Sequence, residues 1–320
     1  MVFHPVIQSA LSAAAGLPAY DTLPIAQARA QAKLGYPNRK VPVPVGEMRN
    51  LNILGPGGAL ALRIYRPAVQ GPSPIIVFFH GSGFVILDLD THDDICRRLC
   101  VGAACVVVSV DYRLAPECKF PAAPDDCLAA TRWVAAHAGE FGGDASRMAV
   151  AGDSAGGCLA AVTAQRIRDE GGPQLQGQLL WYPVTDYPTV IPGSYLAYGS
   201  GFGLTQAGIQ WYWSQYLEDS SAGSHSHASP LRVSSTAGLP SAYVLVAEFD
   251  VLRDEGEAFA RRLVEGGVDT VTRRWASMNH GFLKYTGVIP EADAAMADAC
   301  AWLKRVFQRR AVGNTDGLSD

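Results

Sequence analysis

Apolar runs of strand length alternate with helical segments along most of the chain, and this alternation limits the fold more than any other feature. The runs Ile75–Phe79 and Cys105–Asp111 are apolar and rich in β-branched residues. Further strands are predicted at Met148–Ala151, Gln178–Tyr182, Ala242–Phe249 and Thr270–Trp275. Helices are predicted at Thr91–Gly102, Pro124–His137, Ala155–Asp169, Glu255–Glu265 and Glu291–Arg309. Because parallel strands covered on both faces form continuous apolar runs, the pattern predicts an α/β fold with a mostly parallel sheet and helices on both sides.

Two regions depart from this alternation. The strand-like runs Arg49–Leu54 and Leu60–Tyr65 flank a Gly-Pro-Gly-Gly turn, which predicts an antiparallel hairpin. An aromatic helix is predicted at Gln206–Leu217, inside a segment that interrupts the strand-helix order. We therefore divide the chain into a helical N-terminal segment (1–45), a core in two parts (46–184 and 231–310), an insertion (185–230) and a flexible tail (311–320).

The composition excludes several classes of protein. Charged residues make up 18% of the 320 residues and the net charge is −4, so nothing favours a nucleic-acid partner. No apolar run approaches the roughly 20 residues of a membrane-spanning helix. The N-terminus lacks the basic start of a secretory signal. Seven scattered cysteines, an odd number, fit reduced thiols better than a disulfide framework, so we expect a cytoplasmic protein.

The sequence Gly152-Asp153-Ser154-Ala155-Gly156-Gly157 lies between a predicted strand and a predicted helix. A Gly-x-Ser-x-Gly turn in this position lifts the serine hydroxyl out of the sheet, and its glycines let strand and helix approach closely. The amide of Ala155 begins the helix, where unpaired N–H groups favour a negative charge. Ser154 is therefore the predicted nucleophile; the alternative is a glycine-rich turn without chemistry.

A serine nucleophile needs a base, and an acid that orients the base. In this architecture they follow the serine in the order acid, then histidine. Asp250 and His280 each follow a predicted strand, and the carboxyl ends of neighbouring parallel strands meet at one crevice. We predict Asp250 as the acid and His280 as the base. Glu248, Asp254 and Glu255 are the competing carboxylates, and the last two are favourable at a helix start without any catalysis.

The remaining histidines and the cysteines form no metal motif. His225 and His227 make a lone His-x-His in a serine-rich loop, and His137 lies late in a predicted helix. Cys96 and Cys100 are one helical turn apart, but no second pair offers zinc spacing. We therefore predict no metal site and no cofactor.

The loop His80-Gly81-Ser82-Gly83-Phe84 directly follows a predicted strand. Its small residues let the backbone turn its amides toward the nucleophile. Such amides stabilise the negative oxygen of a tetrahedral intermediate by roughly 2.7–4 kcal/mol per donor. A glycine loop without this role is the alternative.

Four motifs now stand in order: HGSGF at 80–84, DYRLAPE at 111–117, GDSAGG at 152–157 and DVLRDEG at 250–256, followed by HGF at 280–282. In these motifs the chain resembles the hormone-sensitive-lipase-like group of bacterial carboxylesterases, which have the α/β-hydrolase fold. The resemblance implies an oxyanion hole made by the amides of Ser82, Gly83 and Ala155. It also implies structural roles for His80, Arg113 and Glu117.

The chain departs from the family at one position. The family usually has three glycines after the histidine, whereas position 82 here is Ser. A Cβ restricts the backbone angles at this position. The side chain adds bulk and a further donor beside the oxyanion, so activity on bulky tertiary-alcohol esters does not carry over from the family.

The resemblance further implies a cap, built from the N-terminal segment and the insertion. The aromatic helix around Trp211–Trp213 would then lie over the site. We expect Phe84 and Trp181 to contact the substrate, with core packing as the alternative for Trp181. A small apolar pocket under a cap favours short acyl chains.

The sequence thus predicts a serine esterase without a cofactor, acting on a small-molecule ester. An amidase, peptidase or lactonase with the same triad is the first alternative, and a binding protein on the same fold is the second. The resemblance implies a homodimer as one oligomeric state, which the sequence alone does not decide.

Overall fold

A computed structural model describes residues 3–36 and 41–308 of the chain. The strands are β1 (Glu47–Gly55), β2 (Gly58–Arg66), β3 (Ser73–Phe79), β4 (Val106–Val110), β5 (Gly143–Asp153), β6 (Leu175–Trp181), β7 (Ser241–Phe249) and β8 (Thr270–Asn279). The helices are α1 (Pro5–Ala14), α2 (Ile25–Leu34), α3 (Asp93–Ala103), α4 (Ala122–Ala136), α5 (Ala155–Glu170), α6 (Gly193–Tyr198), α7 (Gln206–Tyr216), α8 (Arg253–Glu265) and α9 (Pro290–Gln308). The predicted tail 311–320 lies outside the described residues.

The eight strands form one sheet in the order β1-β2-β4-β3-β5-β6-β7-β8. The strand β2 is antiparallel to β1, as the predicted hairpin requires. It is also antiparallel to β4, which was not predicted, and all other neighbours are parallel. The carboxyl ends of β3, β5, β7 and β8 therefore lie at the same edge of the sheet. This edge carries the glycine loop, Ser154, Asp250 and His280.

Helices cover both faces of the sheet, because the strands send alternate side chains to opposite sides. In β3, Ile75, Val77 and Phe79 pack into one apolar cluster, with residues of α4, α5 and α8. The neighbouring residues Ile76 and Phe78 pack into a second cluster, with residues of α3 and α9. The predicted α/β fold with a mostly parallel, doubly covered sheet is confirmed.

Sequence patterns located most elements to within a few residues, but strand β5 is longer than predicted. It begins at Gly143 rather than Met148 because backbone pairing with Ser73 of β3 extends through polar residues. Helix α6 was not predicted. No helix in the described part of the chain is both long and apolar enough to cross a membrane.

The N-terminal segment and the insertion pack near the carboxyl edge of the sheet. Arg29 of α2 donates hydrogen bonds to the carbonyls of Val85 and Ala115, and it is paired with Glu117 at 2.7 Å. The ring of Tyr212 in α7 lies directly against Gly83 of the glycine loop. The insertion thus contacts the loop that was predicted to form the oxyanion hole, and the N-terminal segment contacts Val85, the residue directly after this loop.

Candidate active site

Ser154 lies at the sharp turn between β5 and α5, in a left-handed backbone conformation with φ of 56°. This conformation is unfavourable for a residue with a Cβ. Three backbone hydrogen bonds hold it: the Ser154 amide donates to the Trp181 carbonyl (2.8 Å), and the Ser154 carbonyl accepts from the amides of Cys158 and Val184 (both 3.1 Å). A Cβ at Gly152 would collide with the backbone of Gly156. The turn therefore requires the glycines that the sequence motif supplies.

His280 links the serine to a buried carboxylate. Its Nε2 lies 2.8 Å from Ser154 Oγ, and its Nδ1 lies 2.8 Å from Asp250 Oδ2. Asp250 is 1% exposed, and its other oxygen accepts a hydrogen bond from the Leu252 amide at 2.9 Å. A carboxylate can only accept, so Nδ1 carries a hydrogen and Nε2 is left to accept the serine proton. The three predicted residues thus form one continuous hydrogen-bond chain.

The competing carboxylates have other partners. Glu248 accepts a hydrogen bond from the Ser277 amide at 2.7 Å. Asp254 accepts from the Ser194 amide at 2.8 Å, and thereby ties α8 to α6.

Glu255 is buried beneath the insertion, which it anchors. It accepts hydrogen bonds from the Thr185 amide (2.8 Å) and from the Tyr195 hydroxyl (2.9 Å). Burial raises the pKa of Glu255 to about 8. Its contacts, like those of Asp254, are with the insertion rather than with His280.

The glycine loop turns beside the serine. Its Gly81 amide donates to Asp153 Oδ1 at 2.7 Å, and Gly83 has φ of 54°, where the adjoining Tyr212 ring leaves no room for a Cβ. Within the described residues, the amide hydrogens of Ser82, Gly83 and Ala155 meet no acceptor. These three amides are the predicted oxyanion donors, and all remain available for a ligand.

Ser82 does not offer its hydroxyl to the oxyanion, contrary to the expectation of an extra donor there. Its Oγ lies 2.6 Å from the Tyr112 hydroxyl and accepts the Phe84 amide hydrogen at 2.8 Å. The Tyr112 hydroxyl donates its only hydrogen to the His80 carbonyl at 2.6 Å. Ser82 must therefore donate its own hydrogen to Tyr112. The only hydrogen of the Ser82 hydroxyl is therefore donated within the protein, and the hydroxyl stabilises the conformation of the loop.

A buried histidine-aspartate pair behind the loop was missed by sequence reasoning. His92 Nε2 lies 3.2 Å from Asp153 Oδ1, and both side chains are almost fully buried. Burial raises the pKa of Asp153, but the His92 charge and hydrogen bonds outweigh it and lower the pKa below its usual value. His80 stacks on Tyr112 at 4.5 Å, and burial lowers its pKa to about 3, so it is neutral and structural.

The resemblance assigned structural roles to Arg113 and Glu117, and their contacts agree with this. Arg113 pairs with Asp126 at 2.8 Å, and Glu117 pairs with Arg29. None of these side chains lines the space above Ser154.

A cavity of about 110 Å³, the site cavity, opens above Ser154 and His280. Its walls are mostly apolar and come from three parts of the chain: Tyr36 of the N-terminal segment, Phe84 and its neighbours in the loop, and Ile209, Tyr212 and Trp213 of α7. Phe84 therefore lies where it was predicted. Trp211 does not line the cavity, so Tyr212 and Trp213 form the roof that was predicted around Trp211–Trp213.

Trp181 does not contact the site cavity, and its predicted role in substrate binding is corrected. It is fully buried in the cluster on the α3 and α9 face, 6.2 Å from the ring of Phe78. Side chains alternate along β6, so Leu180 packs on the opposite face from Trp181. The residue after it, Tyr182, instead packs edge-on against the His280 ring at 4.9 Å.

The described part of the chain contains no group of three or more His, Cys, Asp or Glu side chains that could hold a metal ion. His225 Nδ1 accepts the backbone amide of His227 at 3.0 Å, and the His225 ring packs on Phe120. His137 stacks on Trp133 at 4.3 Å.

The strand-turn-helix serine, the histidine and the buried carboxylate define the site of an α/β-hydrolase. A family model described as the alpha/beta hydrolase fold matches residues 76–284. The chain belongs to this family, in the hormone-sensitive-lipase-like group whose motifs it carries.

Relatives of known name support this assignment. The chain is 45% identical to "Esterase LipI" of Mycobacterium tuberculosis over 255 residues, which cover 77% of this chain and 78% of that protein. It is 37% identical to "Ethyl acetate hydrolase" of Pseudomonas putida over 246 residues, 75% of this chain and 76% of the other. The crystal structure of a thermostable esterase from Pseudomonas putida ECU1011 superimposes with a TM-score of 0.90 at 39% identity, covering 96% and 98% of the two chains.

Proposed function

We propose that the chain is a serine carboxylesterase that hydrolyses short-chain carboxylic esters through an acyl-enzyme on Ser154. The observation that carries this proposal is the hydrogen-bond chain Ser154–His280–Asp250, placed on the strained turn after β5. The small, mostly apolar site cavity supports short chains. Esterase relatives support an ester as the substrate class.

In the first half-reaction, Ser154 Oγ attacks the ester carbonyl carbon while His280 Nε2 takes the serine proton. Asp250 holds the imidazole in the correct tautomer and stabilises its charged form. The carbonyl oxygen becomes negative and accepts hydrogen bonds from the amides of Gly83, Ala155 and Ser82. The bond between carbonyl carbon and alcohol oxygen then breaks, and the alcohol leaves with the proton from His280.

In the second half-reaction, water takes the place of the alcohol. His280 removes one water proton as the water oxygen attacks the acyl carbon. The bond to Ser154 Oγ breaks, the serine regains a proton from His280, and the carboxylic acid is released. No step needs a cofactor or a metal ion.

Labelling with an activated phosphonate tests the proposal directly. We expect one phosphonyl group per chain, attached to Ser154 and located by peptide mass spectrometry, with loss of esterase activity in parallel. Ser154→Ala should take up no label and should lose activity by roughly 10⁵-fold or more. A control such as Ser146→Ala, at an exposed hydroxyl, should behave like the wild type. Labelling elsewhere, or full activity of Ser154→Ala, would contradict the proposal.

Matched ester and amide substrates separate the esterase from its alternatives. The amine of an amide is a poorer leaving group than the alcohol of an ester, so we expect ester hydrolysis to exceed hydrolysis of the amide with the same acyl group. Faster cleavage of the amide or of a lactone would favour the same-fold amidase or lactonase. Absence of turnover together with ligand binding would favour the binding protein.

We also propose that the enzyme lies in the cytoplasm, because all seven cysteines are free and six are buried. Cell fractionation tests this location. A homodimer stays a prediction, which light scattering of the purified protein tests.

A further inference from the structure

A second cavity, the cap cavity, lies within the insertion. It has a volume of about 350 Å³, compared with about 110 Å³ for the site cavity. All of its lining residues fall between positions 187 and 220. Those that are buried are aromatic or aliphatic (Tyr195, Trp213 and Leu217), whereas Gln210, Glu218 and Ser220 at its margin are exposed and polar. Its interior therefore suits an apolar chain.

Trp213 separates the two cavities. Of the described residues that line either cavity, it alone lines both. Its ring lies 5.8 Å from the ring of Phe84, which lines the site cavity, and 5.4 Å from the ring of Tyr187, which lines the cap cavity. Trp213 is 4% exposed. A single side chain thus forms the wall at this point.

We propose that Trp213 is the residue that limits the length of the ester's alkyl chain, and that the cap cavity becomes a long-chain subsite when this side chain is shortened. This proposal rests on the esterase function proposed above. An alkyl chain extending from Ser154 toward α7 fills the site cavity and then meets the indole, since forcing extra methylene groups into a filled space is unfavourable. Removing the indole joins the site cavity to the cap cavity, which is more than twice as large. The chain in question belongs to either the acyl or the alcohol part of the ester.

The experiment compares chain-length profiles of the wild type, Trp213→Ala and Trp213→Leu. The acyl arm uses p-nitrophenyl esters from acetate to decanoate, and the alcohol arm uses alkyl acetates from ethyl to octyl. The wild-type kcat/KM should fall sharply beyond the short chains. In one arm, both variants should raise the ratio of long-chain to short-chain kcat/KM by roughly tenfold or more.

Trp211→Ala is the matched control. It removes the same side chain from the same helix, two residues away, where the indole lines neither cavity. Its chain-length profile should match that of the wild type. If Trp211→Ala shifts the profile as much as Trp213→Ala, the effect comes from loosening α7 and the proposal is wrong.

A measurement on the unmodified protein keeps the test valid if the Trp213 variants do not fold. Alkyl phosphonates with butyl and decyl chains should inactivate the wild type at rates that differ by roughly tenfold or more, with butyl the faster. Equal rates would overturn the proposal. So would folded Trp213 variants whose profiles are unchanged in both arms. Failure of the proposed function is distinguished by a different result, namely that the wild type hydrolyses no ester of either series.

Discussion

The carboxyl edge of the sheet and the insertion contribute different kinds of residue to the candidate site. Ser154 and Asp250 follow strands that are paired on both sides, and backbone hydrogen bonds hold the turn at Ser154. His280 follows β8, which is the last strand of the sheet and pairs with β7. The insertion is held both by a backbone hydrogen bond from the Phe120 amide to the Tyr216 carbonyl and by the side chains of Asp254 and Glu255, and its α7 contributes rings to the cavity. The sheet edge therefore carries the proposed reacting groups, and the insertion supplies rings that shape the space around the substrate. Changes in the first region should lower turnover of every ester, and changes in the second should alter which ester is preferred.

After Ser154→Ala itself, the largest effect is expected from Asp250→Asn. The asparagine amide donates to His280 Nδ1 and favours the tautomer in which Nε2 carries a hydrogen and cannot take the serine proton. We expect kcat to fall by roughly 10⁴-fold on both short and medium esters, with KM little changed. Steady-state kinetics measure this. Asp254→Asn makes the same chemical change one helical turn away, so it should keep kcat; a loss below tenfold in Asp250→Asn would remove Asp250 from the triad.

An intermediate effect is expected from Ser82→Ala, at the boundary between the two regions. The change leaves the Phe84 amide without its acceptor, and such a loss costs about 1–3 kcal/mol. Loss of this hydrogen bond should let the oxyanion loop move away from its position beside Ser154. We therefore expect kcat to fall by roughly 10- to 100-fold. Tyr112→Phe removes the hydrogen bond between Ser82 and Tyr112 from the tyrosine side.

The two variants give a sharper result together than apart. Both variants break the hydrogen-bond chain that runs from Ser82 through the Tyr112 hydroxyl to the His80 carbonyl. The kcat of the double variant should therefore be little lower than that of the worse single variant. If the losses in kcat multiply in the double variant, or if the single variants raise only KM, this hydrogen-bond chain does not position the loop. Circular dichroism and thermal unfolding confirm that each variant is folded.

The smallest effect concerns the anchor of the cap. Burial raises the pKa of Glu255 from its ordinary value of 4.5 to about 8. The stabilisation from this group is therefore present below about pH 4.5 and is lost as the pH rises toward 8. Glu255→Gln stays neutral, so the melting temperature of the variant relative to the wild type should rise between pH 5 and pH 8.5. A difference that stays constant with pH would mean that Glu255 is ionised in the folded protein.

The strands, the turn at Ser154 and the three proposed catalytic residues could be predicted because each depends on local pattern or on the order of residues along the chain. The partners that complete the site were not, because they depend on packing between distant segments. Tyr36, Tyr212 and Trp213 reach one cavity from the two ends of the cap. The tie between Ser82 and Tyr112 joins positions 30 residues apart. Trp181 was placed wrongly because alternation along β6 sets which side chains share a face, but not which face borders the substrate.

The backbone angle of Ser154 also decides which amino acids evolution or design can use as the nucleophile. Threonine offers the same hydroxyl, but a β-branched residue is a severe outlier at φ of 56°. Cysteine is unbranched and fits wherever serine does. In this fold, a serine nucleophile can therefore be replaced by cysteine in a single substitution. Replacement by threonine, a secondary alcohol, requires a different backbone turn.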